Sequence, residues 1–229
     1  MDDRNAPPLN PLPPVVWALA LPIIAMEVVL GLGASGLAGG MEGAGWRLVA
    51  MERFAFSPDL MRLMIERGEY PWQHVLRLVA YPVVHGNTTH AIFAGVILLA
   101  LGKMVGEVFR WWAVLVVFFG AALAGAAAYT LVPAIHAPLI GAYPPVYGLI
   151  GAFTFLLWVG LAAQGANKLR AFSMIGFLLG VQLLFGLLFG GGWEWLADVA
   201  GFGAGFGLSF VVSPGGWARV MAKLRQRQR

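Results

Sequence analysis

The sequence predicts an all-helical integral membrane protein with six transmembrane helices. Of its 229 residues, 59% are hydrophobic and only 11% are charged, and the mean hydropathy is +0.77. A soluble globular domain has a charged fraction of about 25%. Six predominantly apolar stretches, each long enough to cross about 30 Å of hydrocarbon, are separated by charged or turn-rich breaks.

The six predicted spans belong to one membrane domain, residues 15–212. They cover residues 15–33, 84–105, 111–132, 140–163, 171–189 and 193–212. We expect residues 1–14 to be a disordered cytoplasmic lead, because this proline-rich segment lacks the basic front of a secretory signal. Residues 213–229 form a basic cytoplasmic tail that holds five of the fifteen Lys and Arg side chains.

A carboxylate interrupts the first span at Glu27. Because a charge inside the bilayer is costly, Glu27 should face the bundle or reach the near interface. The first loop, residues 34–80, mixes apolar and charged residues, and we expect it to be structured without spanning. Within it, Ser-Pro-Asp at residues 57–59 has the pattern of a helix start, and Gly68 has that of a helix end. This pattern predicts a short interfacial helix.

The distribution of basic residues predicts the orientation. The N-terminus, the second and fourth connections and the C-terminus carry one, two, two and five Lys or Arg side chains, and the first loop carries the other five. Because long loops weigh less in the positive-inside rule, both termini should be cytoplasmic. In a bacterium the protein would lie in the inner membrane. The basic tail then reflects topology and contact with anionic lipid, and no nucleic-acid partner is expected.

The absence of cysteine narrows the possible chemistry. With no Cys in the chain, disulfides, thiolate metal sites and thiol nucleophiles are excluded. No pattern in the sequence indicates a bound cofactor.

Candidate functional residues stand in the second, fourth and sixth spans. His85 and His90 are five residues apart, about 140° around a helix, so they would not share one face as a paired metal site does. Asp198 lies one turn inside the last span, where a carboxyl must be paired, hydrogen-bonded or protonated. If the fourth and sixth spans touch near their outer ends, Tyr143 and Asp198 meet there. We expect a hydrogen bond between them, with the histidines as neighbours.

Glycines indicate where helices approach closely. The fourth and sixth spans carry glycines at spacings that let two backbones come into contact, the sixth in two overlapping four-residue patterns. These glycines are Gly141, Gly148, Gly151, Gly201, Gly205, Gly203 and Gly207. The uncharged fifth span, with Gly176 and Gly180, suits the packing of a partner helix. Its composition equally suits simple contact with lipid.

Three stretches of the chain each carry a distinctive motif, and the three motifs belong together. The second span has a His, four residues, a second His and, four positions later, Ala94. The fourth span opens with Gly-Ala-Tyr-Pro at 141–144 and continues with Val-Tyr-Gly at 146–148. The sixth span has Ala-Asp at 197–198, followed by the spaced glycines. From about Trp72 to the end of the sixth span, the sequence therefore resembles the rhomboid intramembrane serine proteases.

The departures from the rhomboid pattern fall on the reacting groups. In that family a Ser of the fourth span attacks the peptide carbonyl, a His of the sixth takes its proton, and second-span His and Asn groups help stabilise the oxyanion. Tyr143 stands at the Ser position and Asp198 at the sixth-span His. Pro144 replaces a Gly, and Ala94 replaces the Asn. Of the reacting groups the chain keeps His90, while the other matches belong to the scaffold.

The resemblance implies a catalytically inactive rhomboid, similar to derlins, which bind transmembrane segments without cleaving them. The expected partner is another integral membrane protein or its transmembrane helix, held by a chaperone or by a subunit of a larger complex. Two enzymatic alternatives stay open. One is a hydrolase in which His85, His90 and Asp198 hold a divalent metal. The other is an active rhomboid-type peptidase with unusual residues. A transport role is disfavoured because repeats and broken-helix pairs are missing.

Overall fold

The computed structural model describes residues 11–189 and 192–216, and these residues are largely helical. Its α-helices are α1 (Pro14–Ala34), α2 (Gly40–Gly43), α3 (Trp46–Phe54), α4 (Pro58–Arg67), α5 (Trp72–Val75), α6 (Arg77–Ala80), α7 (Thr88–Gly106), α8 (Trp111–Leu131), α9 (Tyr143–Ala163), α10 (Ser173–Phe189) and α11 (Glu194–Val212). Short 3₁₀ helices precede α7 and α10, at Tyr81–Val83 and Lys168–Phe172. Most of the predicted lead and tail, residues 1–10 and 217–229, lies outside the described residues.

Five of the described helices are long and apolar enough to cross a membrane, namely α1, α7, α8, α9 and α11. α10 carries no charged residue but has 17 residues, about 25 Å at 1.5 Å per residue. It starts at Ser173, after the 3₁₀ turn, and is shorter than the fifth span that the sequence predicts. An all-helical membrane fold with five candidate spans is therefore established, and the predicted fifth span, residues 171–189, stays a prediction.

α7 and α9 begin three or four residues later than the sequence predicts, and both differences affect the site. α7 starts at Thr88 and not at residue 84, because the Asn87 side chain accepts a hydrogen bond from the backbone N–H of His90 (2.8 Å) and caps the helix. α9 starts three residues after the predicted position 140. The turn before it is made by Gly141, whose φ of +86° lies in the left-handed region that favours glycine.

The first loop contains the short helix that its sequence pattern predicts. In α4, the Ser57 hydroxyl accepts a hydrogen bond from the backbone N–H of Leu60 (3.3 Å), and Pro58 occupies the first turn. Gly68 ends the helix with a φ of +68°.

Arg62 of α4 connects the first loop to the end of α8 through hydrogen bonds. Its guanidinium donates hydrogen bonds of 2.7 to 3.0 Å to four backbone carbonyls, those of Tyr129, Thr130, Val132 and Ile135. The last carbonyls of a helix have no partner within the helix, and they favour a nearby cation. One arginine therefore satisfies the C-terminal end of α8 and positions α4 over it.

The carboxylate inside the first span is paired. Arg47 of α3 donates hydrogen bonds to both oxygens of Glu27 (2.6 and 3.0 Å) and to the backbone carbonyl of His85 (2.8 Å). Thr88 also donates to Glu27 (2.6 Å). Glu27 thus faces other protein groups, as the free-energy cost of a charged side chain in lipid predicts. The network joins α1, the first loop and the start of α7.

α9 and α11 pack backbone against backbone. A methyl group added at any of three glycines would overlap backbone atoms of the facing helix: Gly151, Gly201 and Gly205. At Gly205 the overlapping group is the carbonyl of Gly148. Gly203 and Gly207 have open space beside them, because two residues along a helix turn the side-chain position by about 200°. Only one of the two overlapping patterns therefore faces α9.

Gly205→Ala should destabilise the protein by about 1–3 kcal/mol or prevent folding, because the new methyl group has no room between the backbones of α9 and α11. Gly203→Ala is the matched control on the same helix. Its methyl group enters open space, and alanine favours the helix, so stability should be unchanged or slightly raised. Thermal unfolding in detergent measures both effects. Equal stabilities for the two variants would contradict the described packing.

Candidate functional site

The segment that enters α9 is held by the first loop. Phe56 and Leu139 exchange two backbone hydrogen bonds (3.0 and 2.8 Å) as an isolated antiparallel bridge. The backbone N–H of Gly141 donates to the carbonyl of Tyr81 (3.0 Å), and the buried Tyr81 hydroxyl donates to the carbonyl of Ala122 in α8 (2.9 Å). The start of α9 is therefore fixed from both sides.

His85 completes this support as a buried, neutral side chain. Its Nε2 accepts a hydrogen bond from the backbone N–H of Ala142 (3.2 Å), which leaves the ring proton on Nδ1. Burial, together with the neighbouring His90, lowers the pKa of His85 to about 4. At neutral pH the imidazole is an uncharged acceptor that fixes the turn before α9.

Three aromatic rings form a stack beside this turn. The ring centroids of His85 and His90 are 5.1 Å apart in an edge-to-face arrangement, and those of His90 and Tyr143 are 4.9 Å apart with nearly parallel planes. The prediction that the two histidines point to different helix faces is wrong, because His85 precedes α7 and does not lie on it. Gly141 leaves room for the stack, since a methyl group there would lie 2.8 Å from the His90 ring.

Asp198 is buried and hydrogen-bonded to α10. Its Oδ2 accepts from the Gln182 side-chain amide (2.8 Å), and the Gln182 carbonyl oxygen accepts from the Tyr147 hydroxyl (3.4 Å). The Oδ1 atom is buried without a hydrogen-bond partner among the described residues. The predicted hydrogen bond between Tyr143 and Asp198 is wrong for this structure. Gln182 donates to the carboxyl, while the Tyr143 ring lies on His90.

Tyr143 and Asp198 nevertheless border one cavity, of about 370 Å³. It lies where α7, α9 and α11 begin, at the end of the bundle that carries the first loop. Its lining consists of His90, Pro138, Leu139, Ile140, Tyr143, Pro144, Gln182, Glu194 and Asp198. Gln182 and Glu194 were not among the predicted site residues. Gln182 had a signal in the sequence, because a lone polar side chain in an apolar helix needs a polar partner.

The remaining candidate residues lie apart from this cavity. Ala94 is fully buried in the apolar core of α7. Gly176 and Gly180 have open space beside them on α10. Within residues 11–189 and 192–216, no group of three His, Cys, Asp or Glu side chains is placed to hold a metal ion. The histidines and Asp198 therefore do not form the three-ligand site considered from the sequence.

The comparison with protein families identifies the scaffold. The Rhomboid domain family model matches residues 72–215, more than half of the chain. The chain belongs to the rhomboid family. The match includes every residue that lines the cavity. The rhomboid family contains both active proteases and inactive pseudoproteases. Among curated proteins, no match to this chain is found.

Lowering the pH from 7 to about 4.5 should destabilise this rhomboid through His85. In the unfolded chain the imidazole has its ordinary pKa of about 6.5 and takes up a proton in this range, whereas the folded state resists protonation until about pH 4. Stability is therefore complete above about pH 6.5 and falls as the pH is lowered, by up to about 3 kcal/mol.

The effect can be isolated with His85→Gln, whose amide oxygen can still accept from Ala142. Thermal unfolding of wild type and variant is measured between pH 7 and 4.5. We expect the variant to lose less stability than wild type over this range. The same pH dependence in both proteins would contradict the assignment.

Proposed function

We propose that this protein is a catalytically inactive rhomboid that binds a transmembrane helix of another membrane protein. The observation that carries the proposal is the replacement of both reacting groups. By the motif resemblance, Tyr143 stands at the serine position and Asp198 at the histidine position. Both border the same cavity. In this cavity Asp198 accepts a hydrogen bond from Gln182, and no described hydrogen bond joins it to the phenol.

The contacts of Tyr143 do not suit a nucleophile. An activated nucleophile needs a base within hydrogen-bond reach, and the base needs a group that orients it toward the nucleophile. The Gln182 amide orients Asp198 toward α10 instead, and the phenol ring is stacked on His90. A phenol, with an ordinary pKa near 10, also needs stronger activation than one carboxylate supplies.

Fewer hydrogen-bond donors are also available to stabilise an oxyanion. A tetrahedral intermediate needs hydrogen-bond donors aimed at its negative oxygen. Ala94 replaces a side-chain amide, and Pro144 has no backbone N–H. The backbone N–H of Ala142 is already donated to His85. His90 is then the remaining side-chain donor of the second span.

α10, the predicted fifth span, offers a surface for a partner helix. α10 has no charged residue, so it can pack against another helix, or be displaced, without exposing a charge to lipid. Its described apolar side chains with high exposure are Phe177, Val181, Leu184 and Leu188. Gly176 and Gly180 leave space for close approach on the same helix.

We propose further that α10 also crosses the membrane, as the fifth of six spans, and that both termini are cytoplasmic. The uneven distribution of Lys and Arg supports this orientation. The first loop and the cavity would then face the periplasm of a bacterium, with the protein in the inner membrane. The mixed charges of the first loop would contact the outer part of the partner, which is either a client of this protein or a fellow subunit.

Wild-type protein should bind a transmembrane peptide without cleaving it, and a fluorophosphonate probe should leave it unlabelled. The full chain in nanodiscs is titrated with a doubly labelled peptide. Energy transfer to a dye on the protein reports binding, and a change in peptide length reports cleavage. Tyr143→Phe is the matched variant, because it removes only the hydroxyl and keeps the ring on His90.

Saturable binding without product in both proteins supports the proposal. Product from wild type that disappears in Tyr143→Phe would show an active enzyme. An absence of binding would contradict the helix-binding role.

A further inference from the structure

The cavity carries two carboxylates and, among its described lining residues, no lysine or arginine. Glu194 and Asp198 are four residues apart on α11, so they lie on one face of the helix. Glu194 is exposed, whereas Asp198 is buried with 3% of its surface exposed. The cavity therefore has one acidic group accessible from outside and a second acidic group one helical turn further in.

Asp198 has an unused acceptor. Its Oδ2 is bound by Gln182, but its Oδ1 is buried and has no hydrogen-bond partner in the part of the chain that the structure describes. Leaving a buried acceptor without a donor is costly, and more so for a charged group. Asp198 lines the cavity, so a donor from outside the chain can satisfy Oδ1 once the side chains that cover this atom move aside.

The other walls suit a flat cation on an apolar stem. The rings of Tyr143 and His90 are stacked, 4.9 Å apart, and a guanidinium binds favourably on the aromatic face that the neighbouring ring leaves uncovered. Three apolar lining residues can cover methylene groups: Pro138, Ile140 and Pro144. The positive N-terminal end of α11 offsets part of the negative charge at Glu194, but Asp198 lies beyond the first turn, where this effect is weaker.

We infer that this cavity binds the guanidinium or ammonium group of an Arg or Lys side chain that the partner helix carries at the end facing the first loop. The cation donates hydrogen bonds to Asp198 Oδ1 and to the Glu194 carboxylate. The inference rests on the proposed helix-binding function and adds the basic residue by which the partner helix is recognised.

The location of the cavity suits a basic residue at the end of a helix. The cavity lies where α7, α9 and α11 begin, close to one membrane surface, and basic side chains near a helix end extend toward that surface. On the non-cytoplasmic side such residues are depleted, so a helix that carries one is unusual. An acidic cavity there would distinguish this helix from the many without a basic residue.

The first measurement tests the cavity with a small probe. N-acetyl-arginine amide is titrated into the full-length protein and compared with N-acetyl-citrulline amide, which has nearly the same shape but no charge. The arginine probe should raise the Tm of wild type and of Glu107→Gln, a control at the opposite end of α7. It should have a much smaller effect on Glu194→Gln, and on Asp198→Asn if that variant folds.

The second measurement uses two transmembrane peptides in nanodiscs, identical except for Arg or citrulline at the first-loop end. The Arg peptide should bind wild type about tenfold more tightly, because hydrogen bonds from a charged donor are stronger than those from the neutral donor of citrulline. Glu194→Gln should reduce this preference without weakening the citrulline peptide.

Each outcome decides a different claim. Equal binding of both peptides, with no effect of the arginine probe, overturns the cation site and leaves the helix-binding function. A response to the probe without binding of either peptide keeps the site and overturns that function. If neither probe nor peptide binds, both proposals are overturned.

Discussion

The contact between the backbones of α9 and α11 is the constraint on which the rest of the site depends. At Gly205 no side chain separates α11 from the carbonyl of Gly148, and Gly151 and Gly201 extend the contact. Small residues allow this approach, and in a bilayer close packing is a main source of helix association. Because the two helices touch along this line, Tyr143 at the start of α9 and Asp198 near the start of α11 reach the same cavity.

The polar residues at this end of the bundle make structural contacts. His85 fixes the turn before α9, His90 carries the Tyr143 ring, and Asp198 is tied to α10 through Gln182. In the first loop, Arg47 and Arg62 act in the same way on a carboxylate and on free helix carbonyls. Buried polar groups require such partners, and two atoms here still have none among the described residues: His85 Nδ1 and Asp198 Oδ1. Asp198 is held by Gln182 and the Tyr143 ring lies on His90, and these are the contacts that support the proposed loss of catalysis.

Much of the fold could be predicted from hydropathy. The third span was expected at residues 111–132 and is observed as Trp111–Leu131. The starts of α7 and α9 were missed by three or four residues, because a side-chain cap at Asn87 and a left-handed turn at Gly141 determine them. Hydropathy does not detect such local effects, because it averages over about 19 residues, a window much longer than a cap or a turn.

The site was predicted in part. The motif spacing indicated His90, Tyr143 and Asp198 as neighbours, and the structure places all three on one cavity. The hydrogen bond between Gln182 and Asp198 could not be derived, because helices that are apolar all round give no periodicity to show which faces meet. The edge contact of the two histidines was missed for another reason. The helical-angle argument assumed that both lie on one helix.

The helix-binding role is tested most directly by measuring whether α10 contacts another membrane protein in native membranes. A photo-crosslinking amino acid is placed at Phe177, which is 70% exposed on α10, and separately at Val116, which is 40% exposed on α8. After illumination the adducts are purified and identified. We expect a defined adduct with another integral membrane protein from position 177 and little or none from position 116. Adducts with lipid alone at position 177, or the same mixture of proteins from both positions, would contradict it.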